Sequence, residues 1–129
     1  LSDLPVENFK KMIHLAVEAF PNFKATGTTL RTVKTASIND WGAICWADGK
    51  IHEATLREDL EIYDRVGGGD SFASGLIAGL QLYDDHQDSL NFAVAASCLK
   101  HSISGDFNRV SKAEVQNLMG GDASGRVQR

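Results

Sequence analysis

Apolar side chains recur every three or four residues in several segments, the spacing that places them on one face of a helix. This period predicts helices over about 7–20, 72–83 and 88–101. Ser111 and Glu114 have the spacing of a capping box, in which each side chain accepts a hydrogen bond from the other residue's backbone. A further helix is therefore expected from Ser111.

Shorter runs that are rich in apolar and β-branched residues lie between the first two helices and predict strands. They cover about 24–30 and 61–63, with a β-hairpin over 41–54 about an Asp-Gly turn. This order of elements predicts an α/β fold. We expect three layers, with the strands in a mainly parallel sheet, helices on both faces and the hairpin at one sheet edge.

The size and composition of the chain fit one globular domain or a piece of a larger one. It has 129 residues, of which 43% are hydrophobic and 23% are charged. The chain lacks an initiator Met and its first residues lead directly into a helix, so we expect a piece of a longer protein. Residues 1–121 are predicted to form the folded part. Residues 122–129 are small and polar with no apolar period, and we predict a disordered tail there.

Charge and cysteine usage exclude several classes of protein. Thirteen basic and seventeen acidic residues are interspersed and give a net charge of −4, so we do not expect nucleic acid as a partner. No apolar run approaches the roughly 20 residues of a membrane span, so we expect no membrane partner. Cys45 and Cys98 lack the spacing of a zinc site or a disulfide framework. This usage suits a reducing compartment, and we predict a cytoplasmic protein.

Three consecutive glycines at the junction of a predicted strand and helix carry the most chemical information. Gly67, Gly68 and Gly69 lack Cβ atoms, so successive backbone N–H groups can converge on an anion at the positive end of the helix dipole. Asp70 would lie in the first turn beside that anion, where its carboxylate could accept a proton from an attacking hydroxyl. The alternative is a flexible turn in which Asp70 only caps the helix.

Two common phosphate-binding motifs are excluded. A P-loop needs Gly-Lys followed by Ser or Thr, whereas Gly49-Lys50 is followed by Ile51. A dinucleotide fingerprint needs a third glycine where Phe72 stands. If the glycine loop binds a phosphate, it does so through neither of these two motifs.

Residues 64–75 read Asp-Arg-Val-Gly-Gly-Gly-Asp-Ser-Phe-Ala-Ser-Gly. This run resembles the second signature of the ribokinase-like (PfkB) sugar kinases, which typically reads Asp-Thr-x-Gly-Ala-Gly-Asp-x-Phe-x-x-Gly. Several flanking segments look like the bacterial 2-keto-3-deoxygluconate kinases of that family, namely 28–31, 39–43, 92–101 and 105–108. The resemblance spans nearly the whole chain. It implies a ribokinase-like fold, of which residues 1–121 would be the C-terminal, nucleotide-binding part.

The resemblance implies that ATP, with Mg²⁺, phosphorylates the 6-hydroxyl of 2-keto-3-deoxygluconate, a sugar acid. Asp70 takes the position of the family's catalytic base, which also contacts the substrate. The amides of Gly67, Gly68 and Gly69 take the position of the anion hole for the ATP phosphates.

Four further residues gain roles from the same resemblance. Val94 falls where the family's helix borders the adenine, and Asp106 matches an acidic residue that reaches the keto-sugar. Asp64 and the carbonyl of Val66 fall where the family often binds a monovalent cation such as K⁺. Two departures from the signature are Arg65 in place of Thr and Gly68 in place of Ala.

The larger departure is that the matching part covers only the C-terminal portion of the family. The sugar-binding half, its lid strands and the Asn-x-x-Glu motif that organises magnesium-bound water are not found in these 129 residues. We therefore do not expect this chain to catalyse the reaction by itself. The alternatives are a kinase of the same family acting on another sugar, a nucleotide-binding module without catalysis, and an assembly fragment that pairs with another copy as a homo-oligomer.

Overall fold

The structure, a computed structural model, describes residues 6–120, so the predicted tail at 122–129 lies outside the described residues. The described elements, in chain order, are α1 (Val6–Ala19), β1 (Ala25–Val33), β2 (Ile38–Ala47), β3 (Lys50–Glu53), β4 (Arg57–Glu61), α2 (Gly68–Leu82), α3 (His86–Lys100) and α4 (Lys112–Met119). The α/β class is confirmed. The four predicted helices are present, with α2 beginning at Gly68 rather than at Phe72.

β2 is the central strand of the sheet. It pairs with β1 along one edge, and with β3 and β4 along the other. The predicted hairpin is formed by β2 and β3, and its turn residues Asp48 and Gly49 both have positive φ angles, as a tight two-residue hairpin turn requires. The hairpin is not confined to a sheet edge, because β2 also pairs with β1.

The mainly parallel sheet that we expected is not found among these strands, since every pairing is antiparallel. Parallel neighbours need a long crossover connection, usually a helix, between consecutive strands. Here α1 precedes all four strands and α2 follows them, so only turns and short loops join one strand to the next. The predicted strand at 61–63 lies instead at Arg57–Glu61, where Leu60 alone is buried and the polar sequence gave little apolar signal.

The two faces of β2 belong to two separate apolar clusters. On one face, Ile44 packs with Leu30 of β1 and Ile13 of α1. On the other face, Ala43 and Cys45 join the larger core that α3 and its neighbouring helices form. The sheet therefore has helical cover on both sides.

α3 is the central helix of the larger core. Nearly all of its side chains from Ser89 to Lys100 are buried, which fits a helix that is apolar on most of its circumference. Small residues let α2 approach it closely: a Cβ added at Gly79 would lie 2.7 Å from the Ser89 carbonyl oxygen, and one at Gly75 would lie 3.0 Å from the Cα of Ala93. This close packing fixes the middle and the C-terminal part of α2 against α3.

The capping box of α4 is present, with the Ser111 N–H donating to Glu114 Oε2 at 2.7 Å.

Both cysteines are buried, and burial raises the pKa of Cys45 to about 11 and that of Cys98 to about 12, so neither supplies a thiolate near neutral pH. Within residues 6–120, every helix is too short or too polar to cross a lipid bilayer.

Candidate active site

The glycine loop joins β4 to α2, at the junction of a strand and a helix where the sequence places it. Gly67 is the N-cap residue of α2 in a left-handed conformation, with φ 79°. Gly68, Gly69 and Asp70 form the first helical turn, whose backbone N–H groups have no acceptor within the helix. The Gly68 N–H makes a long bond of 3.3 Å to the Arg65 carbonyl. The loop therefore offers N–H donors and a helix dipole to an anion, with the exposed Asp70 carboxylate in the same turn.

The segment between α3 and α4 packs directly on the glycine loop. A Cβ added at Gly67 would overlap the Asp106 carbonyl oxygen at well under van der Waals distance. The Asp64 carboxylate links the two loops, because Oδ1 accepts the Val66 N–H at 3.0 Å and Oδ2 accepts the Gly105 N–H at 2.7 Å. These two N–H groups, with a smaller effect of Lys100, hold the pKa of Asp64 below its usual range.

Asp70 and Asp106 face one cavity of about 290 Å³. Both were selected from the sequence, and the structure brings them together although they are far apart along the chain. Phe107, which is exposed, and Asn108 also line this cavity, together with Ser71 and Ser74. In the sequence, Phe107 and Asn108 belong to the segment 105–108 that resembles the kinase family, and no motif of their own assigns them a role.

A second cavity of about 350 Å³ lies between α2, α3, α4 and the segment that precedes α4. From α3 it is lined by Phe92 and Ala96, which are one helical turn apart. Val94, predicted to border the adenine, lies on the other side of α3 and is buried in the large core with 2% of its surface exposed. The structure thus places Val94 away from this cavity.

His101 lies directly beneath the glycine loop. Its carbonyl accepts the N–H groups of Tyr63 and Asp64, and its ring lies edge-on to Trp41, with 4.6 Å between ring centroids. A Cβ added at Gly68 would lie 2.7 Å from the His101 Nε2. The imidazole therefore occupies the space that an alanine at position 68 would need, which explains one departure from the signature.

His101 combines a position at a helix end with deep burial. His101 caps the C-terminal end of α3, as a helix-end residue, but it is 2% exposed rather than on the surface. Burial, with a smaller effect from the charge of Lys100, lowers the pKa of His101 to about 4. Its Nδ1 has no hydrogen-bond partner among the described residues.

We predict that stability rises with pH between about 4 and 6.5 because of His101. In this range the unfolded chain binds a proton at His101 that the folded protein does not, so folding is weakened as the pH falls from 6.5 towards 4. The total effect is on the order of 3 kcal/mol. Urea unfolding at several pH values would measure it.

The His101→Gln variant isolates this effect from the titration of carboxylates. We expect a clearly shallower dependence of the free energy of unfolding on pH in this variant than in the wild type. His14→Gln, on the exposed side of α1, is the matched control and should keep the wild-type slope. Equal slopes in all three proteins would show that His101 titrates normally in the folded state.

The acidic residues at the site do not form a preformed metal centre. Within residues 6–120 there is no group of three or more His, Cys, Asp or Glu side chains arranged to hold a metal ion. Asp64 and the Val66 carbonyl, predicted to bind K⁺, lie in the glycine-loop segment. Each carboxylate oxygen of Asp64 already accepts one backbone N–H, which leaves lone pairs on both oxygens for a cation.

Comparison with known proteins places the chain in a family. Residues 6–112 match the model of the pfkB family carbohydrate kinases. The crystal structure of 2-dehydro-3-deoxygluconokinase from Thermotoga maritima is 41% identical, with a TM-score of 0.84 over 89% of this chain and 35% of that one. A PfkB family carbohydrate kinase from Listeria grayi is 30% identical, with a TM-score of 0.79 over 84% of this chain and 34% of that one.

A curated relative, 2-dehydro-3-deoxygalactonokinase from Haloferax volcanii, is 29% identical over 83 residues, which are 64% of this chain and 26% of that protein. The chain thus spans about a third or less of the length of these relatives. The family match nevertheless takes in most of the chain and includes the glycine loop, Asp70 and Asp106. The chain belongs to the pfkB family of carbohydrate kinases.

Proposed function

We propose that this chain carries the nucleotide-binding residues and the catalytic base of a carbohydrate kinase. The whole enzyme uses ATP to phosphorylate the 6-hydroxyl of 2-keto-3-deoxygluconate. The observation that carries the proposal is the cavity shared by Asp70 and Asp106 at the N-terminus of α2. The named activities of the Thermotoga and Haloferax relatives, both kinases of 2-dehydro-3-deoxy sugar acids, support the substrate class.

We assign the role of general base to Asp70, whose carboxylate is exposed in the first turn of α2. Its carboxylate accepts the proton of the sugar hydroxyl, whose oxygen then forms a bond to the γ-phosphorus while the bond from that phosphorus to the ADP oxygen breaks. The N–H groups of Gly67, Gly68 and Gly69 stabilise the negative charge on the transferred group, helped by the dipole of α2. ATP supplies the phosphoryl group and Mg²⁺ neutralises phosphate charge when they are bound. Asp106 lies across the cavity, where it can bind a hydroxyl of the sugar acid.

We further propose that this chain is one part of a larger enzyme. Residues 1–121 form the C-terminal part of a ribokinase-like domain, and a larger, mainly parallel sheet would continue from the outer edge of β1, which has no partner among the described strands. Val94 belongs to the helix that borders the nucleotide, although Phe92 and Ala96 are the α3 residues that line the cavity. Asp64 and the Val66 carbonyl are the proposed K⁺ ligands. A cytoplasmic location and assembly as a homo-oligomer stay predictions.

Calorimetry and a coupled kinase assay test the proposal together. We expect this chain to bind MgATP without turning over 2-keto-3-deoxygluconate, and a version extended at its N-terminus to do both. Turnover of another sugar by the extended version would keep the kinase and change the substrate. Binding without turnover by both versions would favour a nucleotide-binding module, and no binding by either would leave the glycines as a turn.

A further inference from the structure

The two cavities share part of their wall. Ser71, Ser74 and Asn108 line both the cavity that contains Asp70 and the cavity between α2, α3 and α4. Ser71 follows Asp70 in the first turn of α2, and Asn108 lies in the segment that carries Asp106. A ligand that occupies both cavities would therefore have to pass these side chains.

A hydrogen-bond network joins Asn108 to Ser71 across the wall. The Asn108 Nδ2 group donates to Ser71 Oγ at 2.6 Å and to the Ala96 carbonyl at 3.1 Å. Ser71 Oγ is itself 3.2 Å from the same carbonyl and donates to it. Ser71 is buried and Asn108 is half-buried. The network ties the segment before α4 to both α2 and α3.

Both amide hydrogens of Asn108 are used inside the protein, so this side chain has no donor left for a ligand. Its Oδ1 accepts the Val110 N–H at 3.4 Å, so both ends of the amide have partners within the protein. We therefore expect Asn108 to affect a ligand mainly through the groups that it holds in place. The Asp64 carboxylate holds Gly105 at the other end of the same segment. Asp106 and Phe107 lie between these two attachments, and their distance from Asp70 depends on both.

We infer that Asn108 is a positioning residue that sets the distance between the two cavities. One nucleotide can then place its nucleobase in the cavity between the helices and its phosphates at the glycine loop. The inference rests on the proposed function. It adds a side chain that donates its hydrogen bonds within the protein and fixes the separation of the two halves of the ligand. The energetic benefit of linking two ligand parts depends on such a fixed geometry.

Calorimetry with three probes tests the inference on this chain: MgATP, adenosine and inorganic tripolyphosphate. We expect Asn108→Ala to weaken MgATP binding about 5- to 10-fold, the range that the loss of one or two hydrogen bonds gives. Adenosine and tripolyphosphate should each change by less than about twofold, because each can still settle in its own cavity. A merely structural role would lower the melting temperature and weaken all three probes alike.

Two further variants separate the effect from misfolding. Asn117→Ala, at an exposed position of α4, is the matched control and should bind all three probes as the wild type does. Ser71→Ala keeps the bond from Asn108 to Ala96, so it should weaken MgATP binding less than Asn108→Ala. The double variant should lose little more than Asn108→Ala alone if the two act through one bond.

The outcomes distinguish this inference from the proposed function. If the wild-type chain binds none of the three probes, both are overturned. If the wild type binds MgATP and Asn108→Ala binds it equally well, only the inference falls. Equal losses for MgATP, adenosine and tripolyphosphate would also overturn the inference and leave the kinase proposal standing. Should Asn108→Ala fail to fold, the selective loss of MgATP in Ser71→Ala decides the matter.

Discussion

Replacing Asp70 with asparagine should abolish phosphoryl transfer while leaving MgATP binding nearly unchanged. Asparagine has the shape of aspartate but cannot accept the proton of the sugar hydroxyl, so we expect a loss of roughly 10²- to 10⁴-fold in kcat. Nucleotide binding depends on the backbone N–H groups of the glycine loop, which the substitution does not alter. The coupled assay on the N-terminally extended version measures turnover, and calorimetry measures binding.

Asp88→Asn is the matched control for this prediction. Asp88 is also an exposed acidic residue in the first turn of a helix, α3, so the loss of charge at a helix N-terminus is the same. We expect wild-type turnover in this variant. If Asp70→Asn retained a substantial part of the wild-type rate, Asp70 would not be the base, and its carboxylate would be reduced to a helix-end charge.

The elements that depend on local sequence were predicted well. The periods of the helices, the capping box at Ser111 and the Asp-Gly hairpin each depend on neighbours a few residues away, and all three are present. The sheet was predicted to be mainly parallel, but every pairing among the described strands is antiparallel. The order of helices and strands suggested helical crossovers where only turns and short loops join these strands. The position of β4 was predicted wrongly because four of its five residues are charged and only Leu60 is buried in the core.

The site shows the same division between local and distant information. The glycine loop and Asp70 are adjacent in sequence, so their chemistry could be read from one segment. Asp106 was found only through the resemblance. The roles of His101 and Asn108 depend on contacts with Gly68 and Ser71, which are far away along the chain, and no period or motif records such contacts. Gly68 stands where the family signature has alanine, and this departure could have indicated a bulky neighbour at that position.

Substituting alanine for Gly67 should be the most destabilising single change in the glycine loop. A side chain at this position meets two separate costs. The left-handed conformation, with φ 79°, disfavours a residue with a Cβ atom by about 1–2 kcal/mol. The new Cβ would also overlap the backbone of Asp106, which cannot move without displacing the segment that Asp64 and Asn108 hold.

We therefore expect Gly67→Ala to lower the free energy of unfolding by about 3 kcal/mol or more. Urea unfolding of the chain measures this quantity. The variant should also lose MgATP binding, because relief of the overlap moves either the glycine loop or Asp106 away from the cavity. This second effect distinguishes a shared wall of the site from a turn that happens to contain glycine.

Gly69→Ala is the control for stability. Gly69 lies two residues further along, within the first turn of α2, and an added Cβ would meet nothing within 4 Å. Because alanine favours a helix more than glycine does, this variant should be as stable as the wild type or up to about 1 kcal/mol more stable. Equal stability of the two variants would mean that Asp106 is not packed on the glycine loop. The cavity between Asp70 and Asp106, on which the proposed chemistry depends, would then lose its basis.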